Sequence, residues 1–330
     1  MRIAVTGSIA TDHLMTFPGS FAEQLMPDKL DKVALSFLVD TLEIRRGGVA
    51  ANIAFGLGCL GLRPLLIGSA GADFAEYRAW LTAHGVDTAG VRESVLHHTA
   101  RFINTSDRRG AHIGSFYPGA MSEDSLIELA EVTGRAGPVD LVLIGAGDPD
   151  GMLRFTAQCR ELGLLFATDT SWQVARLDGD QVRSLLDGAE YLFCNEYEAA
   201  LTEQKTGWSA REITERVRVR VTTLGADGVR VDQAGQPSLL VPAVGVTGPT
   251  EPTGAGDAFR AGFLAAVGWQ LSLERAAQLG NLVAVCALET VGTQEYELKP
   301  GSLNERLADA YGPQAADELT ARLDAASHLS

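Results

Sequence analysis

Glu251-Pro-Thr-Gly-Ala-Gly-Asp257, running straight into Ala258-Phe-Arg-Ala-Gly-Phe-Leu264, is the stretch on which the reading of this chain turns. Its glycines let the backbone approach a ligand closely, and the small-residue helix that follows aims its unpaired N–H groups at the same point. A helix N-terminus carries about half a positive charge. The amides of Gly254, Ala255 and Gly256 therefore form an anion hole suited to a phosphoryl group in transfer. Asp257 in the first turn adds a carboxylate that can take a proton from an attacking hydroxyl. Taken alone, the same residues also read as an ordinary helix cap.

Composition agrees with a small phosphate as the anion and excludes a large one. The chain has 330 residues, 42 acidic against 27 basic, for a net charge of −15. Only four of the basic residues are lysines: Lys29, Lys32, Lys205 and Lys299. Nucleic-acid and polybasic membrane partners are excluded, since both need clustered cations. A phosphate must then be met by backbone amides, a metal ion or a few arginines. At 46% apolar residues with 36 glycines the composition is that of a globular α/β chain. Cys59, Cys159, Cys194 and Cys286 lie far apart without a C-x-x-C, so they read as small core residues in a reducing compartment. The N-terminus turns polar too soon for a signal peptide, and no uncharged run reaches membrane-spanning length. A cytoplasmic enzyme is expected.

Outward from the quoted stretch, short apolar runs alternate with helical patterns. Ile3–Gly7, Leu65–Ser69, Asp140–Ile144, Leu165–Thr168, Tyr191–Cys194 and Val219–Leu224 read as buried strands; Met152–Leu162 and Gln181–Leu186 read as helices. That alternation predicts a parallel sheet with helices on both faces. Val33–Arg46 and Thr99–Phe116, the latter with a turn at Ser106–Gly110, break the pattern and read as antiparallel ribbons. Inserted ribbons commonly close over the carboxyl ends of the strands, where open α/β sheets bind ligands. Ala261–Leu273 and Ala276–Leu288 read as core helices.

Three further motifs accompany the first: Gly47-Gly-Val-Ala-Ala-Asn52, Asn195-Glu-Tyr-Glu198 and Thr222-Thr-Leu-Gly-Ala-Asp-Gly228. In this order, together with Thr253–Asp257, they resemble the signatures of the ribokinase-like (PfkB) sugar and nucleoside kinases. Ser8–Leu14, Leu35–Asp40, Ser115–Ser122 and Gly292–Glu295 are similar to segments of actinobacterial adenosine kinases within that family. The resemblance covers residues 1 to about 295. It implies a three-layer α/β/α sandwich with a small inserted β-sheet lid. Substrate groups occur before and after the insertion, so residues 1–330 are expected to form one domain, with a discontinuous lid from about 13–46 and 97–120.

The resemblance also implies the chemistry, an ATP-dependent phosphotransfer to an alcohol, namely the 5′-hydroxyl of adenosine in purine salvage. Asp257 would be the base, and Gly254, Ala255 and Gly256 the anion hole. Glu198 would act on Mg²⁺ through water, with Asn195 reaching the same cluster; by themselves these two read as a capping box. Thr223, Gly225 and Gly228 would border ATP, or form a plain strand-to-hairpin turn. Ser8, Asp12, Gly48 and Asn52 would meet the nucleoside, Asp12 and Asn52 through its vicinal ribose hydroxyls, while Ser36, Gln173 and Arg176 match adenosine-kinase positions without a derivable mechanism. Phe102 and Phe116 face each other across the ribbon if Ser106–Gly110 is its turn, and suit a purine ring or, alternatively, lid packing. Glu251 stands where the family signature has Asp near a monovalent-cation site, and its longer side chain puts K⁺ activation in question. A homodimer through the lid is expected, because inserted strands leave edges to cover.

Other matches fail on context. Gly56-Leu-Gly-Cys-Leu-Gly61 fits G-x-G-x-x-G, but it ends a helix instead of opening one, so close packing is the better account. No lysine follows a glycine, which removes a P-loop. His97-His98 lacks ligand neighbours and is expected exposed. Arg216-Val-Arg-Val-Arg220 reads as one charged, solvated strand face. The competing functions are a ribose or fructose kinase sharing the anion hole, a kinase for another nucleoside, and a non-catalytic nucleoside sensor.

Overall fold

The computed structural model describes residues 1–25 and 35–327. Its strands in chain order are β1 (Ile3–Thr6), β2 (Ala10–Phe17), β3 (Thr41–Gly47), β4 (Leu65–Gly71), β5 (Asp87–Ser94), β6 (Ala100–Asp107), β7 (His112–Tyr117), β8 (Leu141–Ile144), β9 (Leu165–Asp169), β10 (Tyr191–Asn195), β11 (Val219–Thr223), β12 (Val229–Asp232) and β13 (Leu239–Val241). The helices are α1 (Phe21–Gln24), α2 (Val49–Cys59), α3 (Ala75–Ala83), α4 (Leu129–Ala136), α5 (Pro149–Leu162), α6 (Gly179–Leu186), α7 (Glu196–Thr206), α8 (Ala210–Arg216), α9 (Ala255–Gly268), α10 (Leu273–Leu288), α11 (Pro300–Tyr311) and α12 (Pro313–Ser327).

The main sheet has the order β13-β12-β11-β10-β9-β8-β1-β4-β5. From β5 to β11 neighbours are parallel, and β12 and β13 add an antiparallel edge. Successive residues of the central strands feed two different cores. Ile3, Val5, Leu141 and Leu143 pack with α2, α9 and α10, whereas Ala4, Val142 and Ile144 pack with α4, α5 and α6. Covering both faces is why these strands read as continuous apolar runs, and the result is the three-layer α/β/α sandwich.

Arg220 corrects the expectation of a solvated charged face. Arg216 ends α8, and Arg220 is only 1% exposed, its guanidinium 3.0 Å from Glu203 Oε1. Val219–Thr222 of β11 are all buried, so neither face meets water there and the cation needs a carboxylate partner. The G-x-G-x-x-G match resolves as packing: a Cβ at Gly58 would sit 2.0 Å from the His84 carbonyl oxygen, and one at Gly56 2.6 Å from Ala261 Cβ. His97 and His98 are exposed, and all four cysteines are free thiols, Cys159 and Cys194 buried.

A second sheet, ordered β3-β2-β6-β7, stands apart from the first. β6 and β7 form the expected hairpin, but β2 joins β6 in parallel and so adds a strand that the ribbon reading lacks. The strand expected over Val33–Arg46 begins only at Thr41; 35–40 is irregular, and Val33 and Ala34 lie outside the described residues.

Candidate active site

The parallel strands β1, β9, β10 and β11 end at Thr6, Asp169, Asn195 and Thr223, with Ser8 two residues beyond β1, and α9 begins nearby. Gly254 caps α9 at φ 81°. A Cβ there would lie 2.8 Å from Thr293 Cγ2, so only glycine lets the chain turn at this spot. The first bond of the helix runs from the Ala258 N–H to the Gly254 carbonyl, which leaves the amides of Gly256 and Asp257 aimed off its start. The Ala255 N–H turns back to the Pro252 carbonyl at 3.3 Å, a long contact that a ligand must replace to use this donor.

Asp257 is the third residue of α9. Burial pushes its carboxyl up to about 6, against the pull of Arg260 and of a hydrogen bond from Asn52, with Asp169 and Glu198 adding to the rise. Arg260, one turn along, is buried and paired with Asp169 through Nε–Oδ2 at 2.6 Å and Nη2–Oδ1 at 2.8 Å. Three carboxylates, Asp169, Glu198 and Asp257, thus converge on one guanidinium.

Asn52 is tied into the fold at both ends of its amide. Its Nδ2 donates to Asp257 Oδ2 at 2.8 Å, and its Oδ1 accepts from Gln294 Nε2 at 2.9 Å. It is a buried support of the carboxylate. Ser8 is likewise occupied: its hydroxyl accepts the Val49 N–H at 2.9 Å and its carbonyl the Ala50 N–H, which caps α2. Gly48, at φ 96°, lies so close to this strand that a Cβ would meet the Ser8 carbonyl oxygen at 2.5 Å.

The small sheet supplies the other wall. Pairing sets Arg45, Asp12, Phe102 and Phe116 directly opposite one another on β3, β2, β6 and β7, hence on one face. The Phe102–Phe116 pairing is the one expected from the turn. A cavity of about 350 Å³ lies between this face and the α9 loop, bordered by Asp12, Arg45, Phe102, Glu251, Thr253 and Thr293. Burial pushes the Asp12 carboxyl up to about 6; Arg45 opposes the rise and Glu251 adds to it. Phe116 is one strand further out, against Trp172 with ring centroids 5.9 Å apart.

Asn195 and Glu198 form the full capping box of α7, each side chain accepting the other's backbone N–H at 2.8 Å. Glu198 is also held above the ordinary carboxylate range by burial and by Asp169, which ties it to the Asp257 cluster. Asn195 and Thr223 are register partners at the ends of β10 and β11. The turn after Thr223 closes through the Leu224 N–H and the Gly228 carbonyl, and the space over Gly225 is open. Gln173 is buried and donates to the Gly147 carbonyl, a role in the fold, while Ser36 and Arg176 are exposed in irregular segments.

Residues 9–299 match the pfkB family carbohydrate kinases. The chain belongs to this family. A nucleoside kinase of Methanocaldococcus jannaschii is 25% identical over 298 residues, 89% of this chain and 92% of that protein. The structure of Burkholderia thailandensis nucleoside kinase in complex with inosine superposes with a TM-score of 0.81 at 32% identity, covering 94% of this chain and 98% of that one. Arabidopsis thaliana ribokinase complexed with ribose and ATP shares the fold, with a TM-score of 0.70 at 19% identity over 92% and 98% of the two chains.

In this pfkB kinase, sequence reasoning missed Asp169, Trp172, Arg260 and Gln294. Arg260 did carry a signal, a lone charge inside the apolar run Phe259–Leu264. The others are ordinary residues whose partners are far away in the chain.

Proposed function

We propose that this kinase transfers the γ-phosphoryl group of ATP to the 5′-hydroxyl of a purine nucleoside, with adenosine as the acceptor that gives AMP. The observation that carries the reading is Asp257. A carboxyl held at about 6 stands at a glycine-capped helix start, tied through Asn52 and Thr293 to a cavity that pairs Asp12 with Phe102. A carboxylate of that proton affinity is ionised at neutral pH and still basic enough to draw a proton from a hydroxyl as the phosphoryl arrives. Charge developing on the γ-phosphoryl oxygens meets the N–H groups of Gly254 and Gly256, and that of Ala255 once it leaves Pro252. The nucleoside kinases named above favour a nucleoside over ribose or fructose. The row Asp12–Phe102–Phe116 suits such an acceptor, a polar contact for ribose hydroxyls followed by flat rings for a base.

Among the described residues no three His, Cys, Asp or Glu side chains gather as a ligand shell. The surplus of carboxylate around Arg260 fits a Mg²⁺ that travels on the nucleotide and reaches Glu198 through water. When bound, the ion neutralises the phosphate oxygens. The opposite face of the small sheet exposes Leu42, Ile44, Ile103 and Ile113, and a second copy of the chain is the proposed cover; a monomer by light scattering at working concentration would refute it.

The deciding experiment compares phosphorylation of adenosine, inosine, guanosine, ribose and fructose under Mg-ATP. Adenosine should give the highest kcat/KM and the free sugars the lowest. Preference for ribose or fructose overturns the nucleoside reading, and no ADP formation with any acceptor overturns the kinase reading.

A further inference from the structure

A chain of buried polar groups joins the glycine loop at Gly47 to the carboxylate of Asp257. The Tyr77 hydroxyl lies 2.8 Å from the Gly47 carbonyl oxygen. The Gln294 amide nitrogen lies 2.5 Å from Tyr77 Oη and 2.9 Å from Asn52 Oδ1, and Asn52 Nδ2 lies 2.8 Å from Asp257 Oδ2. Side-chain amides can be turned end for end, so their direction must come from groups that cannot be turned.

The Gly47 carbonyl is such a group, since it only accepts. Tyr77 must commit its one proton to it, and burial holds that phenol far above its ordinary value, so the proton stays. Tyr77 Oη then accepts, and Gln294 must present its NH₂. The second hydrogen of that NH₂ goes to Asn52, which must present Oδ1 and is left with its own NH₂ facing Asp257. Thr293 cannot set this direction, because its hydroxyl oxygen lies 2.9 Å from two acceptors, Asn52 Oδ1 and the Arg46 carbonyl, and has a single hydrogen to give. The orientation also has a cost: Gln294 Oε1 is buried and finds no donor among the described residues. The chain around Gln294 imposes its direction against that local loss.

We propose that Gln294 is a positioning residue for phosphoryl transfer: held by Tyr77, it orients the Asn52 amide so that Asp257 Oδ2 is tied and Oδ1 is the oxygen that takes the substrate proton. The inference rests on Asp257 being the base, as argued above. Asp257 is faced by Arg260 on its own helix, Asp169 at the end of β9, Glu198 on α7 and the Tyr296 hydroxyl. The Asn52 N–H is the neutral donor that favours the ionised form among these charges.

The test is the pH profile of kcat at saturating substrates. In Gln294→Leu the Asn52 amide can turn its oxygen to the carboxylate, so the acid limb should move up by about one pH unit, as for loss of a hydrogen bond to a charged group. Well above that limb kcat should recover to within about threefold of wild type. Tyr77→Phe removes a single oxygen and should move the limb in the same direction by less, while raising the acceptor KM because the Gly47 carbonyl loses its donor. It decides the matter alone if Gln294→Leu does not fold. An unmoved limb, with kcat lowered evenly at every pH, reduces Gln294 to packing and overturns the inference. Asp257→Asn separates the two failures: full turnover in that variant removes the base assignment itself.

Discussion

The start of α9 and the inner face of the small sheet meet at one cavity, yet they are built by opposite rules. Around Asp257 side chains from several elements gather: Asn52 from α2 donates to it, Arg260 pairs with Asp169 from β9, and Glu198 from α7 lies close by. On the small sheet Phe102 and Phe116 are partly exposed, and at its β6–β7 turn Arg108 pairs in solvent with Glu23 of α1. A proton-transfer group must be held within a few tenths of an ångström of its productive position. A surface that receives a flat ligand needs only its row of side chains in register, which strand pairing already provides. Rigidity is concentrated where chemistry would occur, and exposure where an acceptor would enter.

The largest test of this contrast is Arg260→Met. It leaves the fully buried Asp169 without its cationic partner and with only the Ser171 hydroxyl as donor, so unfolding free energy should drop by about 3–5 kcal/mol in chemical denaturation. Arg108→Ala, which breaks an exposed pair at the β6–β7 turn, should cost under about 1 kcal/mol. Equal losses in the two variants would end the comparison. Asp257→Asn comes next: turnover should fall at least ~100-fold, with acceptor binding measured by calorimetry nearly unchanged.

A smaller effect follows from pH. Asp257 and Asp12 are held at about 6 in the fold, above the ordinary value of 3.8 that applies in the unfolded chain. Between those values the native state binds protons that the unfolded state does not, so these groups favour the fold more as pH falls. Turnover moves the other way, because protonated Asp257 cannot act as the base. From pH 7 to pH 5 kcat should decline through a limb near 6, while the pH slope of melting temperature, wild type minus the Asp12→Asn/Asp257→Asn double variant, shows stabilisation on acidification. Parallel decline of both quantities would contradict the assignment. The smallest effect is expected from the aromatic row. Phe102→Ala should raise the nucleoside KM roughly tenfold, by loss of a stacking surface, and Phe116→Ala by less because it leans on Trp172; ATP KM should hold in both.

What could be read in advance follows from the range of the interactions. The glycine-capped helix start and its Asp257 are local, a matter of seven consecutive residues, and the facing of Phe102 and Phe116 needs only a hairpin turn between them. The central strands showed as apolar runs because both of their faces are covered. Asn52 was singled out as a site residue without its bond to Asp257: its type and spacing reveal a polar group on a buried helix, while the carboxylate it contacts is 205 residues away. Arg220 failed for a related reason, since an alternating pattern says which residues share a face and nothing of what lies over that face.

The amino-acid sequence by itself determined the layered α/β scaffold, the glycine-capped helix start at Gly254–Gly256 and the carboxylate beside it, because backbone freedom, helix dipoles and hydrophobic period act over a few residues. Only the tertiary structure decided how that carboxylate is held. The Asp169–Arg260 pair spans 91 residues and the Tyr77–Gln294 bond 217. Such partners are selected by how the layers pack, and burial, which sets the proton affinity of Asp257, exists only once they have packed.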